Sequence, residues 1–348
     1  MPPTHKARTL LESLVRGPRT LSPTFATHLC LVIFLIAAGC GKAENGPSGS
    51  IIRVTSSVSP ITNLVSNVGG KRVMVSGLVP EGVDSHRFEP RPKTVAALSS
   101  AQIIFVNGLG LEDPLIRLAK ARAKDVKLVA LGEKVPRSEW IFDKSFPASG
   151  GHPNPHLWTS PAYARVFVER IAAELAQRDP EGSAYFRSNA GRMISKLTAL
   201  DDAIQAATNS VEPERRKLIT YHDSFPYFAR DYGWKVIAAI QPANFHEPSA
   251  RDVALIVQQI KDERVPAIFG SEVFPSPTLE LIARKSGARY IDSLRDDDLP
   301  GEPGEKEHSY IGLMRFDVAT IVDAMGGDDS QLLDLDTTDL YEGNATYG

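Results

Sequence analysis

From residue 51 onward, short apolar runs alternate with amphipathic ones. Ile52-Arg53-Val54-Thr55-Ser56-Ser57 predicts a strand, and Pro60 to Val68 a helix ended by Gly69-Gly70. Arg72 to Leu78 reads as a second strand, leading through a Pro80-Glu81-Gly82 turn to the loop Asp84-Ser85-His86-Arg87-Phe88-Glu89-Pro90. A helix over 94–100, a strand from Gln102 to Val106, a helix from Glu112 to Ala123 and a strand from Lys127 to Leu131 complete this series. Strands that alternate with helices pair in parallel through right-handed crossovers, so the expected fold class is α/β with doubly wound layers.

Regular structure lapses between Ser145 and Pro161, where prolines interrupt Gly150-Gly151-His152-Pro153-Asn154-Pro155-His156-Leu157-Trp158. Val166, Val168, Ile171, Ala172 and Leu175 then mark a helix from Ser160 to Asp179. A longer helical pattern follows over 180–209, carrying Tyr185, Met193, Leu197, Leu200, Ile204 and Ala207. Such a helix reaches about 45 Å at 1.5 Å per residue, enough to join two lobes as a stiff strut. The α/β rhythm then restarts. Strands are expected at Lys217–Thr220, Lys235–Ile240, Pro266–Phe269 and Arg289–Ile291, and helices at Phe225–Tyr232, Ala250–Asp262, Pro277–Ser286 and Tyr310–Met325. The predicted organisation is therefore an N-terminal lobe over 51–179, a linking helix over 180–210, a C-terminal lobe over 211–325, and an acidic, turn-rich tail over 326–348 expected to be mobile.

A length of 348 residues suits two such cores. With 39 basic residues against 42 acidic ones, no large basic field points to nucleic acid. The first 39 residues stand apart. Lys6, Arg8, Arg16 and Arg19 precede an apolar run from Leu29 to Ala38 and then Gly39-Cys40, which is the layout of an export signal. The run is too short to cross a bilayer about 30 Å thick. Cys40 directly after Ala37-Ala38-Gly39 resembles the lipobox of bacterial lipoproteins, in which that cysteine carries lipid and becomes the first residue. Ala37 stands where the pattern prefers leucine, and the basic lead is long; a plain secretory signal is the alternative. Cleavage before Cys40 removes Cys30, so the mature chain has no disulfide and no thiolate metal site. Residues 40–50 read as a flexible tether. The expected location is extracytoplasmic, anchored by lipid to a bacterial membrane.

Against this scaffold, His86 follows a strand in the first lobe and His156 lies in the irregular connection. Tyr221-His222-Asp223 and Asp292-Ser293 each follow a strand of the second lobe directly. The carboxyl ends of strands are where open α/β sheets present their ligand crevice. Taken singly, each histidine is more simply a surface or hydrogen-bonded residue, and Asp292 a turn former or helix cap. Taken together, three imidazoles and a carboxylate offer four N and O donors, a set that suits tetrahedral Zn²⁺ if two sheets face one another across a cleft. His246 and His308 are most simply solvated, and Trp158 and Trp234 packing residues.

Six segments occur in order: Asp84-Ser85-His86-Arg87-Phe88-Glu89-Pro90, Asn107-Gly108-Leu109-Gly110-Leu111-Glu112, Asn154-Pro155-His156-Leu157-Trp158, Tyr221-His222-Asp223-Ser224-Phe225-Pro226-Tyr227-Phe228, Glu247-Pro248-Ser249 and Asp292-Ser293-Leu294. Together they resemble the zinc- and manganese-binding solute-binding lipoproteins of bacterial ABC metal uptake systems, over about residues 51–325. The resemblance implies two lobes joined by a single long helix, with metal held between them by His86, His156, His222 and Asp292. It also places Glu272 at an acidic position beside the cleft, where it would orient a ligand imidazole, the alternative being a buried structural pair. Relatives with glutamate at the third ligand tend toward manganese or iron, whereas His222 makes the shell richer in nitrogen and favours Zn²⁺, with Mn²⁺ the alternative. Two departures stand out. The His- and Asp-rich loop of many zinc members is reduced here to His152, and Thr159-Ser160-Pro161 replaces the usual Leu-Asp-Pro after His-Leu-Trp.

The function implied is that of a non-enzymatic, monomeric receptor that captures a cation outside the membrane and hands it to an ABC permease. A zinc-dependent hydrolase would need an open coordination position and a general base, a role for which only Glu89 or Asp223 is at hand, and no HExxH helix occurs. An adhesion or scaffold lipoprotein with incidental metal is a third possibility.

Overall fold

A computed structural model describes residues 50–142, 153–240, 248–271 and 276–348. Cys40, the tether to residue 49, His152, His246, Glu247 and Glu272 lie outside the described residues. Two parallel sheets carry the architecture. The first contains β1 (Ile52–Ser56), β2 (Val73–Gly77), β3 (Ile103–Val106), β4 (Lys127–Ala130) and a strand from the far end of the chain, β9 (Ala345–Tyr347), in the order β4-β3-β1-β2-β9. The second contains β5 (Lys217–Thr220), β6 (Lys235–Ala239), β7 (Ala267–Ser271) and β8 (Arg289–Leu294), in the order β6-β5-β7-β8. All registered pairs are parallel. In both sheets the first strand is central, the second pairs on one side and the third on the other. Each sheet thus has a topological switch point beside its first strand, where the crevice at the carboxyl ends opens.

The connecting helices of the first lobe are α1 (Ser59–Gly69), α2 (Pro92–Ser100), α3 (Asp113–Arg122) and α4 (Pro161–Arg178). Each has proline in its first turn, where the missing N–H costs nothing and the fixed φ favours the helix. After a single 3₁₀ turn at Pro180–Gly182, α5 runs from Ser183 to Ser210, 28 residues or about 42 Å. It buries Phe186, Met193, Leu197, Leu200 and Ile204 along one side and delivers the chain to β5. The second lobe adds α6 (Pro226–Tyr232), α7 (Ala250–Glu263), α8 (Pro277–Ser286) and α9 (Tyr310–Ala324).

One apolar cluster runs through both lobes. It joins Val54, Ile61 and Phe105 of the first lobe to Leu197 and Ile204 of α5, to Leu218 and Phe269 of the second sheet, and to Tyr310 and Met314 of α9. Because the interior is continuous, opening the lobes as separate bodies would expose apolar surface at a cost of roughly 25 cal/mol per Å².

The end of the chain departs from the expected mobile tail. Residues 330–333 form a short helix, α10, and β9 adds in parallel to the free edge of β2, with Val75↔Ala345 and Gly77↔Tyr347 in register. Asn344 holds it there. Its Nδ2 donates to Ser66 O (3.1 Å) and Gly70 O (3.0 Å), and its Oδ1 accepts from Ser66 Oγ (2.6 Å). Asp339 accepts from the side chains of Asn63 and Asn67 at 2.7 and 2.9 Å. Polar side chains thus fasten the segment alongside a few apolar ones, Leu332 within the core and Leu335, Leu340 and Ala345 against it. The same strand buries His308, which is 3% exposed rather than solvated, with its ring 4.6 Å from that of Tyr347.

Candidate metal centre

His86, His156 and His222 come from three separate places in the chain and meet. His86 sits in a 3₁₀ turn, Ser85–Arg87, beyond β2, and the Asp84 carboxylate caps that turn by accepting from His86 N at 2.9 Å. His222 lies two residues past the end of β5, ahead of α6. His156 lies just before the 3₁₀ turn Leu157–Thr159, edge-on to the fully buried Trp158 at 5.2 Å between ring centres. The three Nε2 atoms form a triangle: His86 to His156 3.2 Å, His86 to His222 3.0 Å, His156 to His222 3.0 Å. Among the described residues this is the group of His, Cys, Asp and Glu whose ligand atoms all lie within 4.8 Å of one another. Three nitrogens each about 2.0–2.1 Å from one Zn²⁺ in a tetrahedron stand about 3.3 Å apart. The triangle is already close to that spacing.

The hydrogen bonds around His156 determine which of its nitrogens is bare. Asn154 donates its amide to the Asp223 carbonyl at 2.7 Å, which identifies its other terminal atom as the oxygen. That oxygen accepts from His156 N at 3.0 Å and faces His156 Nδ1 at 2.9 Å. An amide oxygen can only accept, so Nδ1 carries the proton and Nε2 turns its lone pair toward the other two rings. Burial, and after it the neighbouring rings, hold His156 and His86 well below the ordinary histidine value, so both are neutral and ready to ligate at pH 7.

The loop carrying His156 is held from below by Asn107-Gly108-Leu109-Gly110-Leu111-Glu112. Gly108, Leu109 and Gly110 all have positive φ (82°, 56°, 90°), a reversal that a non-glycine such as Leu109 adopts only at a cost. The buried Glu112 carboxylate closes the turn by accepting from Asn107 N and Gly108 N at 2.8 and 3.0 Å. The Asn107 amide then reaches Pro155 O at 2.8 Å, next to His156. Sequence reading quoted both Asn154 and Asn107 without giving either a task. The signal that could have assigned one is the position of an amide two residues before a ligand histidine.

Asp292 does not join the three rings. The register of β7 and β8 shifts between Phe269↔Ile291 and Ser271↔Leu294, so β8 spends one more residue than its partner over Asp292–Ser293. Such a bulge re-aims side chains, and Asp292 is exposed. The buried carboxylates of this region are instead Asp296 and Asp298, and Asp296 is the one tied to the histidine segments. Its Oδ1 accepts from Ser224 Oγ at 2.5 Å, and its backbone oxygen accepts from Trp158 Nε1 at 2.9 Å. Burial raises its carboxyl, opposed by the His222 ring and by the hydroxyls of Ser224 and Ser271.

Residues 54–324 match the protein family described as zinc-uptake complex component A, periplasmic. The chain belongs to this family. Among its relatives are the manganese-binding lipoprotein MntA of Halalkalibacterium halodurans, 28% identical over 86% of this chain and 97% of that protein, and the iron-binding protein YfeA of Yersinia pestis, 28% identical over 82% and 90%. The structure of the periplasmic zinc-binding protein TroA from Treponema pallidum superposes with a TM-score of 0.73 at 26% identity, covering 79% of this chain and 99% of that one. Three relatives of comparable similarity carry three different metals in their names.

Proposed function

We propose that this chain is the extracytoplasmic receptor of an ABC metal importer, capturing Zn²⁺ or Mn²⁺ and delivering it to a membrane permease, as a monomer anchored through lipid on Cys40. The observation that carries the reading is the convergence of the Nε2 atoms of His86, His156 and His222 within 3.0–3.2 Å. With its Nδ1 protonated, as the Asn154 oxygen requires of His156, each ring can offer its Nε2 to a divalent cation, and three such nitrogens at this spacing suit one ion. The site forms at the carboxyl ends of strands, between lobes that share a continuous core, so release to the permease falls to the loops bearing the ligands rather than to a wide opening of the lobes.

The hydrolase alternative fares worse. Of the two carboxylates available as general base, Glu89 is exposed, and Asp223 is buried with the Asn154 amide 3.4 Å from its Oδ2. Titration of metal-free protein with Zn²⁺ and Mn²⁺ against a competing chelator tests the receptor reading. Binding tighter than on the order of 1 µM, together with loss of growth at low metal when the gene is deleted, is the expected result. Millimolar binding of both ions would sink the proposal.

A further inference from the structure

We infer that Glu81 is the positioning residue for His86, fastening the loop that carries this ligand to the opposite lobe. The inference rests on the receptor reading and adds to it a residue that touches no metal. Of the three histidines His86 is the least buried, and it stands on a turn of its own, Ser85–Arg87, beyond the end of β2. Backbone bonds hold the chain after β2 as far as Val79, through Leu78 N to Ser56 O (2.9 Å) and Val79 N to Ser57 O (3.2 Å). Asp84 then caps the turn itself. Between these two attachments the chain is tied by Glu81 and its neighbour. Glu81 Oε1 accepts from Leu299 N at 3.2 Å, and Asp298 Oδ2 accepts from Gly82 N at 2.5 Å. Both partners belong to the loop that follows β8, so the root of the His86 loop is bound to the second lobe.

Glu81 has two further contacts. Its carboxylate accepts from the side chain of Ser59, the first residue of α1, and lies 3.7 Å from Nε2 of His308. The His308 ring in turn meets that of Tyr347 edge-on at 4.6 Å. Strand β9, which lies beyond the matched residues 54–324, therefore backs the same carboxylate. One side chain thus gathers α1, the loop after β8 and the tail strand at a point just before His86. The Nε2 triangle has sides of 3.0–3.2 Å, and a ligand placed that closely needs a support held as firmly. The bonds from Leu299 and Ser59 ask Glu81 for an acceptor oxygen rather than for a charge, and the nearby Asp298 carboxylate is repelled by the charge. Glutamine can therefore stand in for glutamate here, and a side chain without an acceptor cannot.

The test measures Zn²⁺ binding by the complete mature protein in chelator competition, for wild type, Glu81→Ala and Glu81→Gln, and for the same changes in a His86→Ala background. Thermal unfolding of each metal-free variant verifies that it is folded. Glu81→Met, which keeps the length of the side chain without an acceptor oxygen, serves if the alanine variant is not. Residues that act on a site without touching its ligand shift affinity by about 3- to 30-fold, so Glu81→Ala should weaken Zn²⁺ binding within that range and Glu81→Gln by less than about threefold. In the His86→Ala background Glu81→Ala should cost nothing more, because the side chain it places is gone. An equal loss in both backgrounds would mark Glu81 as a general support of the fold and overturn the inference. So would a glutamine variant as weak as the alanine one, or an alanine variant equal to wild type. Wild-type protein that fails to bind Zn²⁺ would bring down the receptor reading instead.

Discussion

The side-chain oxygen of Asn154 stands 2.9 Å from Nδ1 of His156, and the same oxygen accepts the backbone N–H of His156 at 3.0 Å. Two acceptor contacts on one atom leave His156 a single tautomer. Asn154 also spans the lobes, since its amide hydrogen is given to the carbonyl of Asp223, next to His222. Asn154→Ala should therefore lower Zn²⁺ affinity by about 10- to 100-fold without removing a ligand. Asn154→Asp restores an acceptor for Nδ1 but presents an oxygen to the Asp223 carbonyl, so rescue should be partial. Equal affinities in wild type and Asn154→Ala, read by chelator competition, would refute the orienting role.

His222 contributes a nitrogen to the cluster while its neighbours provide the packing. Its ring lies 4.8 Å from both other imidazoles, and the adjoining turn is secured by Ser224, Phe225 and Tyr227. His222→Ala should reduce Zn²⁺ affinity by more than about 100-fold, while the metal-free melting temperature stays within a few degrees of wild type. An unaltered titration curve would count against His222 as a ligand.

The two α/β series, the long helix and the three histidines were legible because each follows from a local pattern: apolar runs, helical spacing, a ligand-type residue after a strand. Asp292 was expected beside the rings and lies exposed at a bulge, a feature of the pairing between β7 and β8 that no single strand announces. The tail was read as mobile because Asn344 and Asp339 earn their places through partners some 270 residues away, at Ser66, Asn63 and Asn67. His308 followed the same error, since what covers it is that distant strand. Asn154 fell between the two cases. Its position was visible, but its task depended on the direction of one amide.

The tail gives a third expectation. Asn344 is buried and bridges β9 to the α1–β2 corner through three hydrogen bonds. Asn344→Ala leaves Ser66 O and Gly70 O without that donor, at a cost of about 1–3 kcal/mol in stability. The loss should be local as well as global. Limited proteolysis ought to cut the variant between residue 326 and the end of the chain at protease levels that spare the wild type. Identical digestion patterns would mean that the tail is held by something other than this asparagine.

The depressed histidines set a pH dependence whose sign can be worked out. An unfolded chain takes up protons on His86 and His156 as pH falls through 6.5, whereas burial and the adjoining rings keep the folded protein from doing so until well below that value. The unfolded state then binds more protons, so the metal-free protein loses stability on acidification. The loss is up to about 1.4 kcal/mol per pH unit for each of the two residues, beginning near pH 6.5 and absent above it. Asp298 and Asp339 run the other way. Burial raises both to about 6, so they protonate in the folded protein before the unfolded one and lend stability as pH drops further. The histidine effect is therefore cleanest between pH 7 and 6, and the two acids blunt it below. Denaturant unfolding of metal-free wild type and of His86→Asn/His156→Asn across pH 7.5 to 5.5 separates the contributions. The double variant should show a shallower downward slope than wild type between pH 7 and 6, keeping the part due to buried His308, and parallel curves in that interval would show that the two imidazoles are not held neutral by the fold.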